Sequence, residues 1–97
     1  MKKLITNYTF DASAQTLTLT DYASLSQEGL LLITNTTDNV IIYNFASPTY
    51  KATVSGNVIS LTYNTTSMSN SDDIQIWYDD GAAYPLTDTQ LRASALS

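Results

Sequence analysis

The stretch SNSDDIQIWYDDG, residues 69–81, contains the pattern that decides the fold. Its apolar side chains recur at every second position: Ile74, Ile76 and Tyr78. The two residues between them are Gln75 and Trp77. Side chains alternate between the two faces of a β-strand, so this pattern predicts a strand with one face on a hydrophobic core.

Six further short runs of β-branched, aromatic and other apolar residues are typical of strands. They lie at residues 4–10, 15–20, 30–34, 40–45, 50–54 and 58–63. Turn-forming residues separate these runs. Gly56-Asn57 predicts a tight hairpin, and residues 36–39 predict a short loop between two strongly apolar strands. Residues 21–29 favour at most one helical turn ending at Gly29. We therefore expect an all-β fold, an antiparallel β-sandwich of jelly-roll or immunoglobulin-like type with about seven strands, in preference to a small barrel or βαβ units.

The length of 97 residues predicts one hydrophobic core. We assign residues 1–85 to the sandwich domain and 86–97 to a C-terminal tail or interaction segment. The capping-box spacing of Thr87 and Gln90 favours a short helix in this tail, and an extended segment fits equally well. The tail's leucines need another surface to cover them, either on the same domain or on another chain.

Composition and charge exclude several classes of function. A net charge of −5, from nine acidic and four basic residues, leaves no basic stripe for nucleic acid. The absence of cysteine and histidine excludes Ser-His-Asp and Cys-His catalysis and removes the commonest zinc ligands. No apolar run has the length of an export signal or a membrane span, so we expect synthesis in a cytoplasm and no membrane partner.

Two acidic pairs flank the strand at residues 74–78: Asp72–Asp73 and Asp79–Asp80. Carboxylates can bind calcium, but DDG is common in turns and lacks the alternating ligands of an EF-hand loop. Glu28 and the eight aspartates of the chain are also the candidates for a glycoside-hydrolysing pair. Each lies at a predicted turn or strand end, where acids solvate the sheet and accept backbone hydrogen bonds. We expect no enzymatic activity, catalytic residue, cofactor or metal site.

An outward-facing Trp77 would either anchor a protein contact or stack on a sugar, and an inward-facing one would be covered by the second sheet. Packing in the core or between subunits is favoured over ligand stacking for a single tryptophan in so small a domain. The predicted protein-interface residues are Trp77, Tyr84, Leu86, Leu91, Arg92 and Leu96.

Nearly the whole chain resembles a group of small virion proteins of tailed bacteriophages. The similarity covers residues 7–45, 56–81 and the LTDTQLRAS segment at 86–94, and its most specific parts are ITNTTDNVIIYNF at 33–45 and TTSMSNSDDIQIWYDD at 65–80. The resemblance implies a β-sandwich module that decorates a capsid or links neck, tail, baseplate or fibre components. It implies a homo-oligomer that contacts other virion proteins, located in the virion after assembly in the bacterial host cytoplasm, and it implies no catalytic residue.

One alternative function is a carbohydrate-binding module of a host-recognition apparatus, in which Trp77 and the tyrosines stack on a glycan. Another is a glycan-degrading enzyme that uses Glu28 or an acidic pair. Loss of glycan binding in a monomeric Trp77→Ala protein would favour the first alternative over assembly.

Overall fold

The computed structural model of the protein describes residues 2–80. They form eight strands: β1 Lys2–Ile5, β2 Thr9–Asp11, β3 Thr16–Thr18, β4 Leu30–Asn35, β5 Val40–Asn44, β6 Ala52–Ser55, β7 Val58–Leu61 and β8 Ile74–Asp79. One four-stranded antiparallel sheet has the order β1-β8-β4-β5 and the other has the order β2-β3-β7-β6. The predicted antiparallel β-sandwich is confirmed, with eight strands where about seven were expected.

The additional strand comes from residues 4–10, which were predicted as one strand and form parts of two. β1 ends at Ile5 and pairs with β8, whereas β2 begins at Thr9 and pairs with β3 in the other sheet. Tyr8 lies in the crossing, and its hydroxyl accepts a 2.7 Å hydrogen bond from the Ile74 backbone N–H. The crossing segment is thereby fixed to the start of β8.

Two predicted connections have the expected geometry. Gly56-Asn57 joins β6 to β7 in a two-residue hairpin, and Gly56 has a φ of 59°. Only its first residue has a positive φ, which is the pattern of a type II′ turn. Residues 36–39 join β4 to β5, and Asn39 closes that loop with a φ of 56°.

The helical turn expected in residues 21–29 does not form. The chain makes hydrogen-bonded turns there, and these residues attach to the strands around them. The Ser26 N–H donates a 2.8 Å hydrogen bond to the Tyr78 hydroxyl. The Gln27 side chain donates to the Ala52 carbonyl at 2.9 Å and accepts from the Val54 N–H at 2.9 Å. The Ser26 N–H, and the Leu25 N–H that donates to the Gly56 carbonyl, are thereby taken from the i→i−4 bonds that a helix would need.

The core lies between the two sheets and contains aliphatic side chains from both. Its fully buried apolar members are Leu17, Leu19, Leu30, Ile33, Ile42, Ile59 and Ile76. The predicted alternation in β3 and β8 is confirmed, because Leu17 and Ile76 are buried while Gln75 and Trp77 face away. Residues 2–80 include no helix long and apolar enough to cross a membrane.

Candidate functional site

The outer face of the first sheet carries an apolar row centred on Trp77. In the strand register Trp77 lies opposite Leu4 on one side and Leu32 on the other. Directly opposed residues project from the same face of a sheet, so the three side chains form one row across β1, β8 and β4. Trp77 is 38% exposed and Leu4 is 40% exposed, and Leu32 is half-buried. The alternative that the second sheet covers Trp77 is wrong.

The apolar surface extends onto β5 through Ile41, which is 47% exposed. Ile41 lies opposite Thr34, two residues along β4 from Leu32. A β-bulge between these positions leaves Ile42 and Tyr43 both facing the core while Ile41 stays outside. We call Leu4, Leu32, Ile41 and Trp77 the apolar face.

The rim of the apolar face has both signs of charge. Lys2 and Asp79 are register partners at the end of the sheet next to the Leu4–Trp77 pair. Lys3 alternates to the other side of β1, opposite Tyr78, and its ammonium contacts an Asp80 carboxylate oxygen at 2.7 Å at the same end of the sheet. This hydrogen bond, reinforced by the opposite charge, raises the pKa of Lys3 above its ordinary value.

The outer face of the second sheet has the opposite character. One row contains Thr9, Thr18, Val58 and Ser55, and the next contains Asp11, Thr16, Ser60 and Thr53. Hydroxyl side chains dominate both rows, and hydroxyls hydrogen-bond readily to water. The molecule therefore has one apolar and one hydroxyl-rich outer surface on opposite sides of a shared core.

The two acidic pairs, Asp72–Asp73 and Asp79–Asp80, lie at the two ends of β8, as the sequence predicted. Asp72 accepts hydrogen bonds from the Asn35 amide at 2.9 Å and from the Ser69 N–H at 3.3 Å. At the other end, Glu28, Asp79 and Asp80 line one cleft of about 290 Å³, a proximity that the sequence did not predict. Within residues 2–80 no group of three or more acidic side chains is arranged to bind a metal ion.

Trp77 is the one predicted interface residue that lies in the described part of the chain. The others, Tyr84, Leu86, Leu91, Arg92 and Leu96, lie outside it, as does the predicted boundary between residues 85 and 86. Sequence reasoning missed Leu4, Leu32 and Ile41. The alternation of each strand identifies an outer side chain, but only the pairing of distant strands shows which outer residues lie together.

Comparison of the chain with protein-family models, with curated proteins and with solved structures finds no match.

Proposed function

We propose that this protein is a non-enzymatic structural protein of a tailed-bacteriophage virion. In this proposal it packs on the capsid or on neck or tail components and stabilises the assembly by repeated protein–protein contacts. The observation that carries the proposal is the apolar face around Trp77, on the opposite side of the sandwich from a hydroxyl-rich face. The resemblance of residues 33–45 and 65–80 to phage virion proteins supports the same function.

The apolar face supplies the free energy of docking. Removing apolar surface from water contributes about 25 cal/mol per Å², and part of this is offset by the lost freedom of the partners. A small apolar face is therefore a weak contact in a single pair and a strong one when symmetry repeats it. A virion structural protein meets that condition because many copies are assembled together.

The rim charges would set the orientation of the contact. Lys2 and Asp79 flank the Leu4–Trp77 pair and carry opposite signs. Charges at an interface rim contribute mainly to orientation and to the rate of encounter. In this proposal Tyr84, Leu86, Leu91, Arg92 and Leu96 add contacts from the C-terminal segment.

The test compares variants of the two outer faces. Trp77→Thr and Leu4→Thr each remove apolar area from the apolar face, and Val58→Thr makes the same kind of change on the other sheet. We expect sedimentation velocity to show self-association of the wild-type protein that is weakened about tenfold or more by Trp77→Thr. Val58→Thr should associate as the wild type does. Deletion of residues 86–97 should also weaken association.

A second arm tests the virion itself. Crosslinking and mass spectrometry of purified phage particles should place the protein against capsid, neck or tail proteins, with crosslinks from Lys2 and Lys3 beside the apolar face. A protein that stays monomeric at all concentrations and is missing from purified particles would contradict the proposal. So would turnover of a glycan substrate by the purified protein.

A further inference from the structure

Four aromatic residues line two adjoining clefts on the side of the sandwich where β5 and β6 run: Phe45, Tyr50, Tyr63 and the buried Tyr43. Tyr50 and Tyr63 line a cleft of about 340 Å³. Phe45 and Tyr50 line a second cleft of about 260 Å³. Tyr50 lines both clefts, so they adjoin at this residue. None of these rings belongs to the apolar face around Trp77.

Two of these rings are exposed to solvent. Tyr50 and Tyr63 meet edge to face, with ring centroids 5.3 Å apart and an interplanar angle of 67°. In this geometry the rings do not lie flat on one another. Tyr50 is 39% exposed and Phe45 is 68% exposed. The clefts therefore have aromatic walls that are accessible from solvent.

Local hydrogen bonds hold the segment that carries Tyr50. The Ser47 hydroxyl accepts from the Thr49 and Tyr50 N–H groups, both at 3.2 Å. Thr62, at the end of β7, accepts from the Lys51 N–H and donates to the Lys51 carbonyl through its hydroxyl, both at 3.0 Å. A positioned aromatic wall loses less conformational freedom on binding than a mobile one.

Each cleft also has a hydrogen-bond donor without a partner among residues 2–80. The Asn64 carbonyl oxygen accepts from the Thr66 N–H at 3.1 Å and from the Thr66 hydroxyl at 2.6 Å, which leaves the Asn64 NH₂ group as a donor beside Tyr63. The Lys51 ammonium lines the second cleft and pairs with no carboxylate in the described range. Aromatic walls with a few polar groups are typical of ligand sites.

We propose that the Phe45–Tyr50–Tyr63 clefts bind a neutral oligosaccharide. A pyranose ring has an apolar C–H face that packs on an aromatic face, and its edge carries hydroxyls that accept hydrogen bonds from amide and ammonium groups. Two clefts in series fit more than one sugar unit. The net charge of −5 disfavours an acidic glycan. This proposal does not depend on the virion function, because the two sites share no residue.

The test is a titration of ¹⁵N-labelled full-length protein with three neutral hexasaccharides: maltohexaose, cellohexaose and N-acetylchitohexaose. At least one should cause saturable shifts of the Tyr50, Lys51 and Asn64 amide signals, with a Kd of about 1 mM or below. Its disaccharide should bind about tenfold more weakly because it occupies one cleft. This chain-length comparison requires no variant.

Variants then assign the site. Tyr50→Ala should weaken binding about tenfold, whereas Tyr50→Phe should bind within about threefold of the wild type because it keeps the ring. Trp77→Thr should bind the sugar normally even where it fails to assemble, so the two proposals succeed or fail separately. Three results would each overturn the inference: no saturable shift with any hexasaccharide, shifts confined to the apolar face, or unchanged affinity in a folded Tyr50→Ala protein.

Discussion

Asn35 and Asp72 form a hydrogen bond that joins the end of β4 to the loop before β8, with the Asn35 amide nitrogen 2.9 Å from an Asp72 carboxylate oxygen. Asn35 is fully buried. Its carbonyl oxygen accepts a 3.0 Å bond from the Asp38 N–H in the β4–β5 loop, and its amide also contacts the Met68 sulfur at 3.1 Å. One buried amide thus fixes two loops at the same end of the sandwich.

Replacing Asn35 with Ala should destabilise the protein by about 2–4 kcal/mol, since it leaves the Asp38 N–H and the Asp72 carboxylate without this partner. Chemical denaturation measures the difference. The control is Asn7→Ala, because Asn7 donates a 3.0 Å hydrogen bond to Asp21 at an exposed position. That variant should change stability by less than about 0.5 kcal/mol. Equal effects of the two variants would contradict the assigned role of Asn35.

Gly29→Ala should destabilise the protein by steric conflict. A β-carbon at Gly29 would fall on the Asp79 carbonyl oxygen and come within 2.9 Å of Tyr78 Cε1. The backbone pairing of Gly29 with Asp79, a 2.8 Å bond from the Asp79 N–H, would have to open. We expect a loss of about 1–3 kcal/mol by thermal or chemical denaturation. Gly56→Ala is the comparison, because no atom lies near that β-carbon and its cost comes from the positive φ alone, about 1 kcal/mol.

Gln15 allows backbone strain to be separated from hydrogen bonding. Its φ of 59° is unusual for a residue with a side chain, and its side-chain amide donates 3.0 Å bonds to the Leu61 and Tyr63 carbonyls. Gln15→Ala loses both bonds and keeps the strain, whereas Gln15→Gly loses the bonds and relieves the strain. We expect the Gly variant to be more stable than the Ala variant by about 1 kcal/mol in denaturation experiments. A Gln15→Ala protein more stable than the Gln15→Gly protein would contradict the strain assigned to the positive φ.

Stability should fall at alkaline pH because of buried tyrosines. Burial raises the pKa of Tyr22 and of Tyr43 above the ordinary value of 10.0. A group whose pKa is raised by folding stabilises the folded state fully at pH values below its unfolded pKa. This stabilisation is lost as the pH rises through the folded pKa. The free energy of unfolding should therefore decrease above about pH 10. Absorbance titration at the phenolate band should show that part of the tyrosine signal changes at a higher pH than an ordinary tyrosine would. Tyr43→Phe should reduce that part of the signal.

Local pattern was sufficient to predict most of the strands and to put Ile76 and Trp77 on opposite faces of one strand. Alternation in residues 74–78 separates these two side chains because a strand has a strict two-residue period, but it left open whether the second sheet covers Trp77. The hairpin at Gly56-Asn57 was predictable for a similar reason, since its turn requires a residue that accepts a positive φ. These features depend on neighbours in sequence.

Features that depend on distant pairing were not predictable. Leu4 and Leu32 lie beside Trp77 only because β8 pairs with both β1 and β4, and the sequence alone gives no register between such distant segments. The same holds for Tyr50 and Tyr63, which meet across the β5–β6 connection and the end of β7. The division of residues 4–10 between two sheets was missed because neither glycine nor proline marks the crossing.

The side chain of Gln27 has a consequence for how the molecule associates. Its amide occupies the Ala52 carbonyl and the Val54 N–H of β6, the outermost strand of its sheet. Those groups would otherwise template the strand of a neighbouring chain, which is how sheets extend into fibrils. With this position occupied, strand-by-strand polymerisation at β6 is obstructed.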